Sequence, residues 1–166
     1  MTEVLIKRLS KNIELPKYET NGSSGMDLSA NIEKQIKIEP GKTSIIPTGI
    51  SVSIPKNFEI QIRSRSGLAA KSHISVLNSP GTVDADYRGE LKVILINLSN
   101  KTFVVKTGTR IAQMVLCPIV KAKFKLVDSL DETDRGSGGF GSTGVANKKP
   151  RTISPTNEEE PSEKME

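Results

Sequence analysis

Tryptophan is absent, and cysteine and histidine occur once each in 166 residues. Each scarcity removes a class of chemistry. A single thiol, Cys117, cannot close an intrachain disulfide, so a disulfide scaffold is excluded and a cytoplasmic, reducing setting is the default expectation. Between Leu116 and Pro118 it reads as a small buried hydrophobe. His73 has no cysteine or histidine at metal-ligand spacing and no nucleophile motif around it, which argues against a zinc site and a histidine-based triad. At 4% aromatic, the chain is too thin in stacking rings to bind a nucleic-acid strand. No apolar run approaches bilayer length, and Met1-Thr2-Glu3-Val4 lacks the basic-then-apolar pattern of a signal peptide. Neither a nucleic acid nor a membrane is therefore expected as a partner. The net charge of +5 permits a polyanionic ligand such as a nucleotide phosphate, although scattered lysines also serve as a solubilising surface.

Without tryptophan, a core must rest on Ile, Val and Leu, and these fall in short runs. Glu3–Arg8 reads as a strand, and Asn21-Gly22 is a turn signal. Glu39-Pro40-Gly41-Lys42 places proline and glycine where a type II turn needs them. Thr43–Ile54 is β-branched, with Pro47 and Gly49 marking an edge or a bulge. In Phe58–Arg63 the alternation puts Phe58, Ile60 and Ile62 on one sheet face. Ser66–Lys71 suits a short helical turn. Leu91–Ile96 reads as a buried strand, followed by strands over Thr102–Lys106, Arg110–Val120 and Phe124–Val127. No segment sustains a helical period over several turns. The expected class is all-β, a jelly-roll-like sandwich or barrel. The expected division is a β domain over 1–130, a glycine-rich arm over 131–145, and a charged, disordered tail over 146–166.

Five stretches are unusual for a plain β sandwich. In SSGMDLSA, Asp27 sits between apolar neighbours at a strand start. In RSRSGLAA, two guanidinium groups stand near a Ser-Gly that opens a helical turn; planar donors and free amides suit a phosphate, as a capped turn with solvent-facing arginines also would explain. In NSPGTVDADYRGEL, a turn precedes Asp84 and Asp86, which in extended chain point the same way. Such a pair can hold a metal, or act as a base with an orienting neighbour, or simply decorate a charged hairpin. In TRIAQ, Arg110 and Gln113 interrupt an apolar strand, so Gln113 needs a partner and can reach a ligand. RGSGGFGSTG holds five of the chain's 13 glycines, counted along the sequence. Alone it reads first as a linker, and second as an arm that orders over a ligand, with Arg135 meeting charge and Phe140 stacking on a flat ring. Its two Gly-x-Gly-x-x-Gly matches do not lie between a strand and a helix, so the dinucleotide fingerprint fails on context; the P-loop pattern fails as well.

These five stretches, in this order, strongly resemble the five motifs of the homotrimeric dUTPase (deoxyuridine triphosphate nucleotidohydrolase) family, from about Val4 to Val145. The resemblance implies a jelly-roll subunit, a homotrimer with three shared sites, and Mg²⁺-assisted hydrolysis of dUTP to dUMP and pyrophosphate by water attack on the α-phosphorus. Such an enzyme supplies dUMP for dTTP synthesis and keeps uracil out of DNA. On the same resemblance, Asp84 is the base that orients and deprotonates the water. Tyr87 packs on the deoxyribose. Asn78, Gly81, Thr82 and Val83 form the hairpin that reads the uracil edge. Arg65, Ser66, Gly67 and Gln113 bind phosphate, and Lys92 is a further substrate contact. Asp27 holds Mg²⁺ through water, the ion resting mainly on the substrate triphosphate. Arg135 clamps the γ-phosphate, Phe140 lids the uracil, and Gly141, Ser142 and Thr143 add phosphate contacts. Two other readings stay open on the residues: a dCTP deaminase or bifunctional deaminase–dUTPase of the same fold, and a noncatalytic nucleotide-binding β module.

Overall fold

The computed structural model describes residues 2–11 and 13–140. Gly141, Ser142, Thr143 and the predicted tail over 146–166 lie outside the described residues. The chain divides into two units, Met1–Ala122 and Lys123–Glu166.

All strands belong to the first unit, as does the one described helix. In chain order they are β1 (Leu5–Arg8), β2 (Met26–Ser29), β3 (Ile36–Ile38), β4 (Thr43–Pro47), β5 (Ile50–Ser53), β6 (Phe58–Arg63), α1 (Ser66–Ser72), β7 (Ile74–Val76), β8 (Gly81–Val83), β9 (Lys92–Asn97), β10 (Phe103–Val105) and β11 (Arg110–Pro118). They form a four-stranded sheet ordered β2-β11-β6-β8, a three-stranded sheet β4-β9-β7, and two ribbons, β1-β5 and β3-β10. Every pairing is antiparallel. The class is the expected all-β, jelly-roll-like one. No described helix is long and apolar enough to cross a membrane.

The core follows from period-2 patterning. Ile60 and Ile62 of β6, Met114 of β11, Leu28 of β2 and Val83 of β8 turn inward to meet Val93 and Leu95 of β9, Ile74 and Val76 of β7, and Ile46 of β4. Burying such a side chain fully contributes about 1.5–3 kcal/mol each. Leu91–Ile96 departs from the expectation of a wholly buried strand. Val93, Leu95 and Asn97 are buried while Lys92 is exposed and Ile94 and Ile96 are half-buried, because only one face of the sheet meets the core. Asn97 is fully buried and fully satisfied. Its Nδ2 donates to the carbonyls of Ile38 and Lys101, both at 2.7 Å, and its Oδ1 accepts from the amide and hydroxyl of Ser99.

The turns follow the glycines where positive φ requires them. Gly41 (φ 71°) closes the Glu39–Lys42 turn, with Lys42 N donating to Glu39 O at 3.0 Å. Gly41-Lys42-Thr43 thus enters a strand, not the helix that a phosphate-binding loop would require. Gly49 (φ 71°) breaks the long β-branched run into β4 and β5.

Phe124–Val127, expected as a last strand, is not one. The second unit has no strand or helix among its described residues. A strand needs an edge to pair with, and this segment has no strand partner among the described residues. Its apolar side chains stand in the open, with Phe124 94% and Leu126 97% exposed. Further on, Arg135 Nε donates to Gly138 O at 2.8 Å, and Gly136 N donates to Thr133 O at 2.9 Å, forming a local turn. Phe140 is fully exposed and has φ 48°, unusual for a bulky residue.

Candidate active site

The motif residues of the first unit gather at two places. The first is an apolar-floored cavity of about 330 Å³ lined by Thr82, Val83, Asp84, Tyr87, Glu90, Leu91 and Lys92, with Ile45 and Ile94 beneath. The floor exists because Ile45 and Ile94 are register partners on β4 and β9 and face away from the core. Space at Gly81 is tight, since a methyl there would stand 3.0 Å from Asn78 Nδ2 and 3.3 Å from Ile62 Cβ. This brings Asn78 against the start of β8. Beyond Val83 the chain turns, with Tyr87 N donating to Asp84 O at 3.1 Å.

That turn corrects one expectation. Asp84 and Asp86 do not lie in extended chain: both line a cavity beside Lys56 and Lys121, and of the two only Asp84 also borders the first one. The Tyr87 ring lies over Gly89, where a methyl would meet its hydroxyl at 2.3 Å, and that hydroxyl donates to Glu90 O at 3.0 Å. The outer part of the ring remains open, Tyr87 being 46% exposed.

The second place is ionic. On the outward face of the four-stranded sheet, Gln113 of β11 stands opposite Asp27 of β2 on one side and Arg63 of β6 on the other. Asp27 Oδ1 accepts from Arg65 Nε at 2.9 Å and Oδ2 from Arg110 Nη1 at 3.1 Å. Gln113 Nε2 donates to Ser64 O at 3.3 Å. Gly25 is small for a reason: a methyl there would stand 2.6 Å from Gln113 Oε1. Arg65 precedes α1, whose first turn holds no acidic residue and whose start no side chain caps, leaving Ser66 and Gly67 exposed beside a guanidinium. Three of the five stretches are therefore joined by hydrogen bonds.

Arg63 does not join them. Its Nε and Nη2 donate to Gln61 Oε1 at 3.1 and 2.7 Å, and Cys117 Sγ lies 3.6 Å from Nη2. Cys117 is thus half-buried on the outward face, not a core residue. Arg110 was legible only as a polar interruption of an apolar strand; its pairing with Asp27 depends on sheet register. Glu90 was legible only as the end of a motif, although its side chain accepts from Gly49 N at 2.8 Å.

No three His, Cys, Asp or Glu side chains converge on a metal site among the described residues. Asp27, with a guanidinium on each oxygen, does not fit a direct metal ligand. Its remaining lone pairs fit a partner for metal-bound water. The residues therefore suit an ion that arrives on a triphosphate.

The two places are far apart in one chain. Ile60 pairs with Val83, so Asp84 follows toward the Glu59 end of β6, while Arg65 lies beyond Arg63 at the other end. Six residues of extended chain separate those ends by about 20 Å. Two side chains at that distance cannot reach one atom within one chain.

The described geometry can be set beside known proteins. The dUTPase family model matches residues 11–144. The deoxyuridine 5'-triphosphate nucleotidohydrolase of Rickettsia bellii is 56% identical over 146 residues, covering 87% of this chain and 97% of that one. The enzyme of the same name from Chlamydia pneumoniae is 57% identical over 134 residues, covering 80% and 92%. Among solved structures, a mutant dUTPase of Staphylococcus bacteriophage 80alpha with dUpNHpp superposes with a TM-score of 0.75 at 27% identity, covering 87% of this chain and 100% of that one. With motifs, sheet order and relatives in agreement, this chain belongs to the dUTPase family.

Proposed function

We propose that this protein hydrolyses dUTP to dUMP and pyrophosphate, in sites shared between subunits of a homotrimer. The observation that carries the reading is the placement of Asp84 at the rim of a nucleoside-sized, apolar-floored cavity, with Tyr87 and Lys92 beside it. The relatives named for this nucleotide, and the phage enzyme solved with dUpNHpp, support the same substrate.

In this reading Asn78, Gly81, Thr82 and Val83 present the hairpin edge to uracil, where mismatched hydrogen bonds reject cytosine. The Tyr87 ring packs on the deoxyribose and leaves no room for a 2′-hydroxyl. Asp84 takes a proton from a water aligned on the α-phosphorus, which needs only hydrogen-bond reach to that water. The water oxygen bonds to phosphorus as the bond to the bridging oxygen breaks, and pyrophosphate leaves. Arg65, with Ser66, Gly67 and Gln113, holds phosphate oxygens, and Asp27 fixes the Arg65 guanidinium. Asp27 would hold the waters of an Mg²⁺ ion borne by the triphosphate, and that ion would supply charge neutralisation to the leaving pyrophosphate. Arg135, Phe140, Gly141, Ser142 and Thr143 belong to an arm that closes over a neighbouring subunit's site.

The separation of about 20 Å between Asp84 and Arg65 supports sharing, because the two halves of a site must come from different chains. The apolar side chains of Val120, Phe124, Leu126 and Leu130 support it too. They are 98%, 94%, 97% and 84% exposed, and large apolar side chains left this open suit a surface that meets a protein partner.

The test is pyrophosphate release from dUTP, dTTP, dCTP and UTP by the wild type and by Asp84→Ala. Turnover of dUTP alone is expected, falling by a factor of about 10³ or more in the variant. Ammonia release from dCTP, or activity retained by Asp84→Ala, would overturn the reading.

A further inference from the structure

We infer that Glu90 is a positioning residue for the nucleoside pocket, holding the Tyr87 ring against a rigid corner of the sheet; this rests on the reading of Tyr87 as the sugar-packing group. Glu90 sits where the Asp84–Glu90 turn rejoins β9, and its side chain is 22% exposed. Through Oε1 it accepts the Gly49 amide at 2.8 Å. Through its own carbonyl it accepts the Tyr87 hydroxyl at 3.0 Å. One residue thus ties the ring to the corner.

The corner is stiff. Gly49 is buried at φ 71°, and a methyl there would stand 2.2 Å from Ile13 Cδ1 and 2.5 Å from Asn31 Nδ2. Its neighbours bind the residue after Glu90: Thr48 Oγ1 donates to Leu91 O at 2.6 Å, and Leu91 N donates to Ile50 O at 2.9 Å. The backbone ladder therefore ends at Leu91, and the next tie toward Tyr87 is the carboxylate. Without it, the Glu90 carbonyl stays fixed, because it shares a peptide plane with the Leu91 amide, but the Gly89–Glu90 backbone on which the Tyr87 ring rests loses its tie to the corner. The Lys92 ammonium, 3.8 Å from Glu90 Oε2 and half-exposed, is a secondary partner, so reach matters here more than charge.

Three substitutions separate the two. Glu90→Gln keeps the reach and an acceptor oxygen, Glu90→Asp keeps the charge and falls short by one methylene, and Glu90→Ala loses both. Steady-state kinetics with dUTP and UTP are measured for each, beside the wild type. Glu90→Asp and Glu90→Ala are expected to raise KM for dUTP about tenfold and to lower the dUTP-to-UTP ratio of kcat/KM about fivefold, with kcat within about threefold of the wild type. Glu90→Gln is expected within about twofold of the wild type on every measure. A purely structural role would reduce the active fraction and leave the ratio unchanged. Should Glu90→Ala fail to fold, the comparison of Gln with Asp decides. A wild-type-like Glu90→Asp, a Glu90→Gln as impaired as Asp, or a loss confined to kcat with the ratio intact overturns the proposal. Absence of dUTP turnover in the wild type overturns the hydrolase reading itself and the proposal with it, an outcome distinct from the other three.

Discussion

Asp27 places one negative charge between two guanidinium groups, and the geometry decides which of them it controls. Arg65 is the closer, at 2.9 Å through Nε, and is three-quarters buried, whereas Arg110 is more than half exposed. A side chain as long as arginine loses considerable freedom when it binds, so a partner that orients it beforehand favours binding. Asp27→Ala is therefore expected to reduce kcat/KM for dUTP about tenfold through misplacement of Arg65. The melting temperature should fall by several degrees, because a charge-assisted hydrogen bond between partly buried groups contributes about 1.5–3 kcal/mol. Kinetics and a thermal melt on the same preparation check both halves. An unchanged kcat/KM would mean that Arg65 needs no help from Asp27.

The connection from β8 to β9 is the element that shapes the cavity beside Asp84, and its glycines act in different ways. Gly81 lets Asn78 close on β8, while Gly89 supplies the flat backbone on which the Tyr87 ring rests. A methyl at Gly89 would stand 2.5 Å from Tyr87 Cζ, and the obstructed atoms belong to the movable end of a side chain. Gly89→Ala is thus expected to displace the ring and leave the connection folded. KM for dUTP should rise about tenfold while the melting temperature stays within a few degrees. A fall in melting temperature without a KM change would remove Tyr87 from the substrate pocket. The helix α1 works differently. It buries no residue and contributes little to the core, so its place in the molecule is to present Arg65, Ser66 and Gly67.

For the whole molecule, the register between β6 and β8 sets Asp84 and Arg65 at opposite ends of β6, so the proposed function has each chain supply two half-sites. Asp84→Ala and Arg65→Ala each remove a different half. Each variant alone is expected to be nearly inactive, with about 10²-fold loss or more. Co-expressed, they should form mixed assemblies in which some sites combine an intact Asp84 with an intact Arg65, and dUTP turnover should return. Sizing of the purified assembly and the pyrophosphate assay check this together. Failure of mixed assemblies to recover activity would place both residues at a site within one chain.

Much of the fold was legible because period-2 patterning and turn chemistry are local. Ile60 and Ile62 face the core as their alternation requires, and Gly41 takes the positive φ that its turn requires. The short strands β3, β7 and β8 were not legible, since three residues carry too little alternation unless a β-rich run surrounds them, as Thr102–Lys106 does for β10. Phe124–Val127 had strand composition without a strand partner, and composition cannot supply one. Of the site, the residue types and their order were readable from the five stretches, and so was the family. The tertiary structure decided the rest. It set Asp27 between Arg65 and Arg110, turned Arg63 away from its apparent partner, tied Glu90 to Gly49, and held Asp84 and Arg65 at opposite ends of one strand. The physical reason is the same in each case. Sequence determines which face of a strand a side chain occupies, whereas its neighbour across the sheet depends on register between segments many residues apart.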